Sequence, residues 1–70
     1  MALNEYREAI QELEASEKTE AVKIAAGALE LQLRNAAWQD GFRAEAGELA
    51  DRAERLVRQC EIILQPAIYA

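Results

Sequence analysis

The sequence predicts an all-α protein, an antiparallel helical hairpin (about 18–39 and 42–65) with a short N-terminal helix (about 3–15). Two observations predict this class. Apolar residues recur every three or four positions along most of the chain, which is the period of an amphipathic helix. The composition is rich in Ala, 30% charged and holds a single Pro, which favours helices over strands or disorder.

The first segment has one apolar stripe, and charged residues lie on its other side. Continuing the phase of the stripe lands on Glu17 and Glu20, so the stripe fails there. Ser16 and Thr19 are N-cap candidates, and they predict a bend or short break before the second helix. The stripe residues are Leu3, Tyr6, Ile10 and Leu13.

The second segment has apolar residues on two sides, about half a turn apart at about 100° per residue. A helix that is apolar on two sides needs cover on both, so this is the central element. The first stripe is Val22, Ala26, Leu29, Leu33 and Ala36. The second is Ile24, Ala28, Leu31 and Trp38.

The third segment has a regular seam with alternating spacings of four and three, which suits coiled-coil-like packing. Cys60 falls in this seam, so we expect it to be a buried small hydrophobe, and a lone Cys forms no intramolecular disulfide. Pro66 ends the helix near Gln65 and leaves a short apolar tail. The seam residues are Phe42, Ala46, Leu49, Ala53, Leu56, Cys60 and Ile63.

Charged pairs and glycines complete the helical pattern. On the third helix three acids each precede a base by four residues, and this pattern predicts a solvated outer face with ion pairs. These pairs are Glu48/Arg52, Asp51/Arg55 and Glu54/Arg58.

Asp40-Gly41 predicts the turn, because Gly closes helix C-termini, and the tight connection makes the helices antiparallel. Gly27 and Gly47 lie inside helices, either for close approach of another helix or as tolerated substitutions.

Size and charge limit the class of protein. Seventy residues form one domain (1–70), with a thin core because Ala buries little area. The net charge of −5 argues against nucleic acid and anionic lipid as partners. The strongest apolar run is far too short to span a membrane, and the start lacks the features of a signal peptide. A cytoplasmic location is therefore the expectation.

Catalytic and ligand-binding chemistry is not expected. The chain has no His, the usual general base and commonest metal ligand. Ser16 and Thr19 have no base beside them, and Cys60 has no imidazole or second thiol. We therefore predict a non-enzymatic protein with no catalytic, metal or cofactor site.

Partner binding is the remaining function, and the second stripe of the central helix is its candidate site. The first helix folds back over this stripe in a self-sufficient bundle, or the stripe stays open for another protein, or it pairs with a second copy. Trp and Tyr are common interface anchors. The predicted contacts are Ile24, Ala28, Leu31 and Trp38, with Ile62, Ile68 and Tyr69 as lesser candidates.

The layout resembles the small E-type co-chaperones of type III secretion (the YscE/PscE family). The matching parts are a short first helix (3–13), a longer helix (22–38), the Asp40-Gly41 turn and an Ala-rich helix ending in Ile-Ile-Leu (49–64). The resemblance implies a cytoplasmic hairpin in a hetero-complex. Its partners would be a tetratricopeptide-like chaperone and a needle subunit, which the complex holds unpolymerised.

The Trp and Gly between two helices also resemble the WXG family of type VII secreted hairpins. Two residues separate Trp38 from Gly41 here, where that family has one. The family's C-terminal motif, a Tyr followed four residues later by an acid, is missing because Tyr69 is next to last. Despite these two differences, a secreted hairpin of this kind is an alternative to the co-chaperone.

Overall fold

The computed structural model describes residues 2–39 and 43–65, and this part of the chain forms three helices: α1 (Leu3–Ala15), α2 (Thr19–Gln39) and α3 (Arg43–Leu64). The all-α class and the hairpin layout are confirmed, because α2 packs mainly against α3. The predicted turn, Phe42, Pro66 and the tail with Ile68 and Tyr69 lie outside the described residues.

The break between α1 and α2 covers residues 16–18, within the predicted segment. The Ser16 hydroxyl accepts a hydrogen bond from the Lys18 N–H at 3.2 Å, which turns the chain. The Lys18 carbonyl accepts the Val22 N–H at 2.9 Å, which starts α2. Neither predicted cap residue is therefore the N-cap: Thr19 is already helical, and Lys18 takes that position.

The core lies mainly between α2 and α3, and alanines make up more than a third of its buried residues. Four alanines are completely buried, and small side chains allow the two backbones to approach closely. Among the described residues, only two large side chains, Ile10 and Leu33, are completely buried. The buried alanines are Ala26, Ala46, Ala50 and Ala53.

Helix α1 packs against both helices of the hairpin through the stripe predicted for it. Ile10 is completely buried and Tyr6 is nearly so. The Tyr6 hydroxyl donates a hydrogen bond to Oε1 of Gln32 on α2 at 3.2 Å. This contact places α1 beside the flank of α2 on which Gln32 lies.

Two ion pairs connect α1 to α3. Nη2 of Arg52 lies 2.6 Å from a Glu14 carboxylate oxygen, and Nη2 of Arg7 lies 3.7 Å from Glu45. The paired residues advance together along both helices, so α1 runs parallel to α3. The pairs are partly exposed, so their contribution to stability is small.

The charged outer face of α3 differs from the prediction. Of the three predicted pairs, Glu54–Arg58 forms, at 2.8 Å. Arg52 pairs with Glu14 of α1 instead of Glu48, and Asp51 lies 3.5 Å from Arg34 of α2. The helical rule considers only neighbours on one helix, whereas the packed helices offer these side chains partners across the interface.

The apolar seam of α3 ends earlier than predicted. Cys60 is a buried free thiol, as expected. Ile63 is 68% exposed, so its predicted place in the seam is wrong. The first buried residue of α2 is Val22, which leaves α3 beyond Cys60 without a buried side chain of α2 to pack on.

The glycines inside α2 and α3 do not mark a close approach. A Cβ added at Gly27 or at Gly47 would meet no atom of the described residues within 4 Å. Of the two interpretations of these glycines, the structure supports tolerated substitution within the single chain.

Candidate protein-binding surface

Helix α2 has a buried side and an exposed apolar side. On the buried side, Leu33 and Ala26 are inaccessible to solvent. On the other side three large apolar residues are exposed: Ile24 by 74%, Leu31 by 73% and Trp38 by 79%. These three lie seven residues apart, and seven residues make nearly two helical turns, so they align along one line.

Smaller residues precede these three and lie between them. Together the six form the outer α2 surface, with alternating spacings of three and four residues. All six are exposed, and the stripe is about 26 Å long at about 1.5 Å per residue. The members are Ala21, Ile24, Ala28, Leu31, Asn35 and Trp38.

Helix α1 leaves the outer α2 surface open. Its hydrogen bond to α2 is made at Gln32, about 100° around the helix from Leu31. Of the three alternatives for the second apolar stripe, cover by α1 in a self-sufficient bundle is therefore not the arrangement observed, and Ile24, Leu31 and Trp38 stay exposed. Helix α1 folds back, but onto the groove between α2 and α3.

A cleft adjoins the Trp38 end of this surface. It has a volume of about 270 Å³ and is lined by Trp38, Arg34, Ala37 and Gly47. Since Gly47 has no side chain, the α3 wall of the cleft stays open beside the indole. The cleft is large enough for one side chain of a docked helix.

Arg34 forms the polar edge of the cleft and belongs to an ion-pair network between α2 and α3. Its guanidinium lies 3.0 Å from Glu30, 3.2 Å from Glu54 and 3.5 Å from Asp51. The hydrogen bond to Glu30 raises the pKa of Arg34 above its ordinary value, against a smaller opposing effect of desolvation. Arg34 therefore joins the two helices and remains charged.

The lesser candidates do not join this surface. Ile62 is 67% exposed but lies on α3, beside the exposed Ile63 and the partly exposed Leu64. These three form a separate apolar patch at the end of α3. Ile68 and Tyr69 are outside the described residues.

Sequence reasoning identified four members of the outer α2 surface, Ile24, Ala28, Leu31 and Trp38, and missed two others. Ala21, three residues before Ile24, and Asn35, between Leu31 and Trp38, are both exposed on this stripe. The alternating spacing through positions 21 and 35 was available as a signal. Hydrophobicity alone did not reveal these two members, since Ala21 is small and Asn35 is polar.

Within residues 2–39 and 43–65, no three Cys, Asp or Glu side chains are grouped so that they hold a metal ion. Among the three helices described, none is both long enough and apolar enough to cross a membrane.

Comparison with known proteins identifies no relative. The chain matches no protein-family model, no curated protein and no solved structure.

Proposed function

We propose that this chain is a non-enzymatic protein-binding module that docks a partner on the outer α2 surface. The observation that supports this most strongly is the alignment of Ile24, Leu31 and Trp38, each more than 70% exposed, on one face of a helix. Large apolar side chains grouped on a surface are typical of interaction sites. Burying one Leu or Ile side chain yields about 1.5–3 kcal/mol, so three anchors provide a substantial driving force.

An amphipathic helix is the ligand that fits this surface best. The stripe winds only gradually around α2, as a coiled-coil seam does, and its small members Ala21 and Ala28 leave room for the ridges of an opposing helix. Trp38 borders the cleft next to Gly47, where a further side chain of the ligand would insert. Trp is also one of the residue types enriched at the energetic hot spots of protein interfaces.

The partner of this module is a different protein, in a cytoplasmic hetero-complex of the E-type co-chaperone kind. The resemblance in length and helix order supports this choice, with a tetratricopeptide-like chaperone and a needle subunit as the partners. By mass action, binding would stabilise the folded chain against unfolding by about 2.7 kcal/mol when the partner is present at one hundred times its Kd. It would also block premature assembly of the needle subunit.

The test is capture of a partner by the tagged chain from a lysate of its source, followed by mass spectrometry. Leu31→Asp places a charge at the centre of the outer α2 surface. Ile63→Asp is the matched control, because Ile63 is exposed to a similar extent on another helix. We expect the first variant to lose the captured partner and the second to keep it, with both remaining helical by circular dichroism.

The captured protein is then purified and titrated against each variant to measure Kd. A loss of affinity of at least about tenfold for Leu31→Asp, but not for Ile63→Asp, is the expected result. Equal affinity for both variants would refute the assignment of the surface. Capture of a tetratricopeptide protein would favour the co-chaperone, and capture of a second type VII hairpin would favour the secreted alternative.

A further inference from the structure

We infer that, in the absence of another partner, the outer α2 surface pairs with the same surface of a second copy, with the two α2 helices antiparallel. This inference rests on the proposed function, because both use the same binding surface. It adds that the occupant of the surface is a second copy of the chain, that the two α2 helices run antiparallel, and which residues of the two copies face each other.

The sizes of the side chains along the surface carry the argument. Large and small positions alternate: Ile24, Leu31 and Trp38 are large, and the positions between them hold Ala28 and Asn35. In seam packing each residue inserts between residues of the opposing helix. A surface with this alternation is complementary to itself when a large residue of one copy meets a small residue of the other.

Antiparallel pairing achieves this match in one register. With the two-fold axis between Ala28 and Leu31, Ala28 of one copy faces Leu31 of the second copy. In the same register Ala21 faces Trp38 of the second copy, and Asn35 faces Ile24 of the second copy. Parallel pairing would instead place Trp38 on Trp38 and Ala28 on Ala28, which crowds one layer and leaves a void in another.

The charges also allow this pairing. Helix α2 contains two acids, Glu20 and Glu30, and two bases, Lys23 and Arg34, so the net charge of −5 lies on the rest of the chain. In the antiparallel register Arg34 approaches Gly27 of the second copy, not a second Arg34. Like charges therefore do not face each other along this surface.

The size of the interface predicts a weak dimer. The six large side chains of the two α2 helices would bury a total area near the lower limit of specific interfaces, which is about 1,200 Å². We expect dissociation in the micromolar range, so that a hetero-partner displaces the second copy.

The first measurement is the mass in solution by sedimentation equilibrium, from about 1 µM to about 1 mM. The wild-type mass should rise from 7.8 kDa to twice that value. Leu31→Asp should remain monomeric, while Ile63→Asp should dimerise like the wild type. A wild-type monomer at the highest concentration overturns self-pairing and leaves the capture experiment above unaffected, so the two proposals fail separately.

The second measurement tests direction and register with single cysteines in a Cys60→Ala background. Asn35→Cys and Ile24→Cys chains are oxidised separately and as a mixture. We expect the mixed disulfide to predominate, because each single variant places its thiols about 16 Å apart in this register, beyond disulfide reach. Disulfide-linked homodimers of each single variant, with no mixed disulfide when the two are combined, would establish parallel pairing and overturn the inference.

Discussion

Leu31 and Leu33 are two positions apart on α2, yet Leu33 is completely buried and Leu31 is 73% exposed. Two positions correspond to about 200° around a helix, so the two side chains point to opposite sides. Leu33 belongs to the core shared with α3. Leu31 lies at the centre of the outer α2 surface, so the same residue type serves stability at one position and binding at the other.

The two leucines should respond differently to truncation. Leu33→Ala should lower the free energy of unfolding by about 2–5 kcal/mol, because it leaves a cavity in a core with few large side chains. Leu31→Ala should change it by less than about 0.5 kcal/mol at concentrations where the chain is monomeric. Urea denaturation followed by circular dichroism measures both. A large loss for Leu31→Ala would show that this side chain is covered within the single chain.

The position of α1 can be tested through its hydrogen bond to α2. Tyr6→Phe removes the hydroxyl that donates to Gln32 and should cost about 0.5–1.5 kcal/mol in unfolding free energy. The matched control is the same substitution in a Gln32→Ala background, where the acceptor is already absent. The cost of Tyr6→Phe should be smaller in the Gln32→Ala background than in the wild type. Equal costs in both backgrounds would argue that α1 packs elsewhere.

Gly27→Ala should stabilise the chain. A Cβ at Gly27 meets no described atom within 4 Å, and Ala is favoured over Gly inside a helix by up to about 1 kcal/mol. Gly47→Ala should stabilise it similarly, while narrowing the cleft beside Trp38. Thermal unfolding of both variants measures the effect. Destabilisation by either would reveal a close contact at that glycine.

The Arg34 network should be sensitive to salt and insensitive to pH near neutrality. The pKa of Arg34 is raised, so its stabilising effect is present below its unfolded pKa and is lost only as pH rises through the still higher folded pKa. The cost of Arg34→Met should therefore be the same at about pH 6 and about pH 9. It should shrink between about 0.05 M and about 1 M NaCl, because screening weakens exposed ion pairs. A cost that is unchanged by salt would mean that Arg34 acts through packing of its aliphatic stem.

Much of the fold follows from local periodicity. The spacing of Tyr6 and Ile10 predicted the buried side of α1, and the two stripes of α2 predicted a central helix. Periodicity reports which side of a helix is apolar, but it does not report which neighbour covers that side. The placement of α1 depends on contacts between distant residues, such as Tyr6 with Gln32 and Arg52 with Glu14.

The errors have the same origin. Ile63 continues the period of the α3 seam, but burial also requires an apolar neighbour on α2 at that level, and Val22 is the first. Ala50 is completely buried although it was not assigned to the seam, because it lies on the flank of α3 that faces α2, one turn before Glu54, which pairs with Arg34 of α2. Of the candidate site, the apolar residues were predictable, whereas the cleft beside Trp38 exists only when α2 and α3 are packed.

The central claim is that α2 exposes an apolar binding surface, and quenching of Trp38 fluorescence by acrylamide tests it most directly. Trp38 is the only Trp in the chain, so the signal reports this surface alone. In the dilute monomer we predict quenching close to that of a free indole, falling several-fold when a partner that binds wild type but not Leu31→Asp is added. A folded monomer whose Trp38 is already shielded, or a complex in which it stays equally accessible, would contradict the claim.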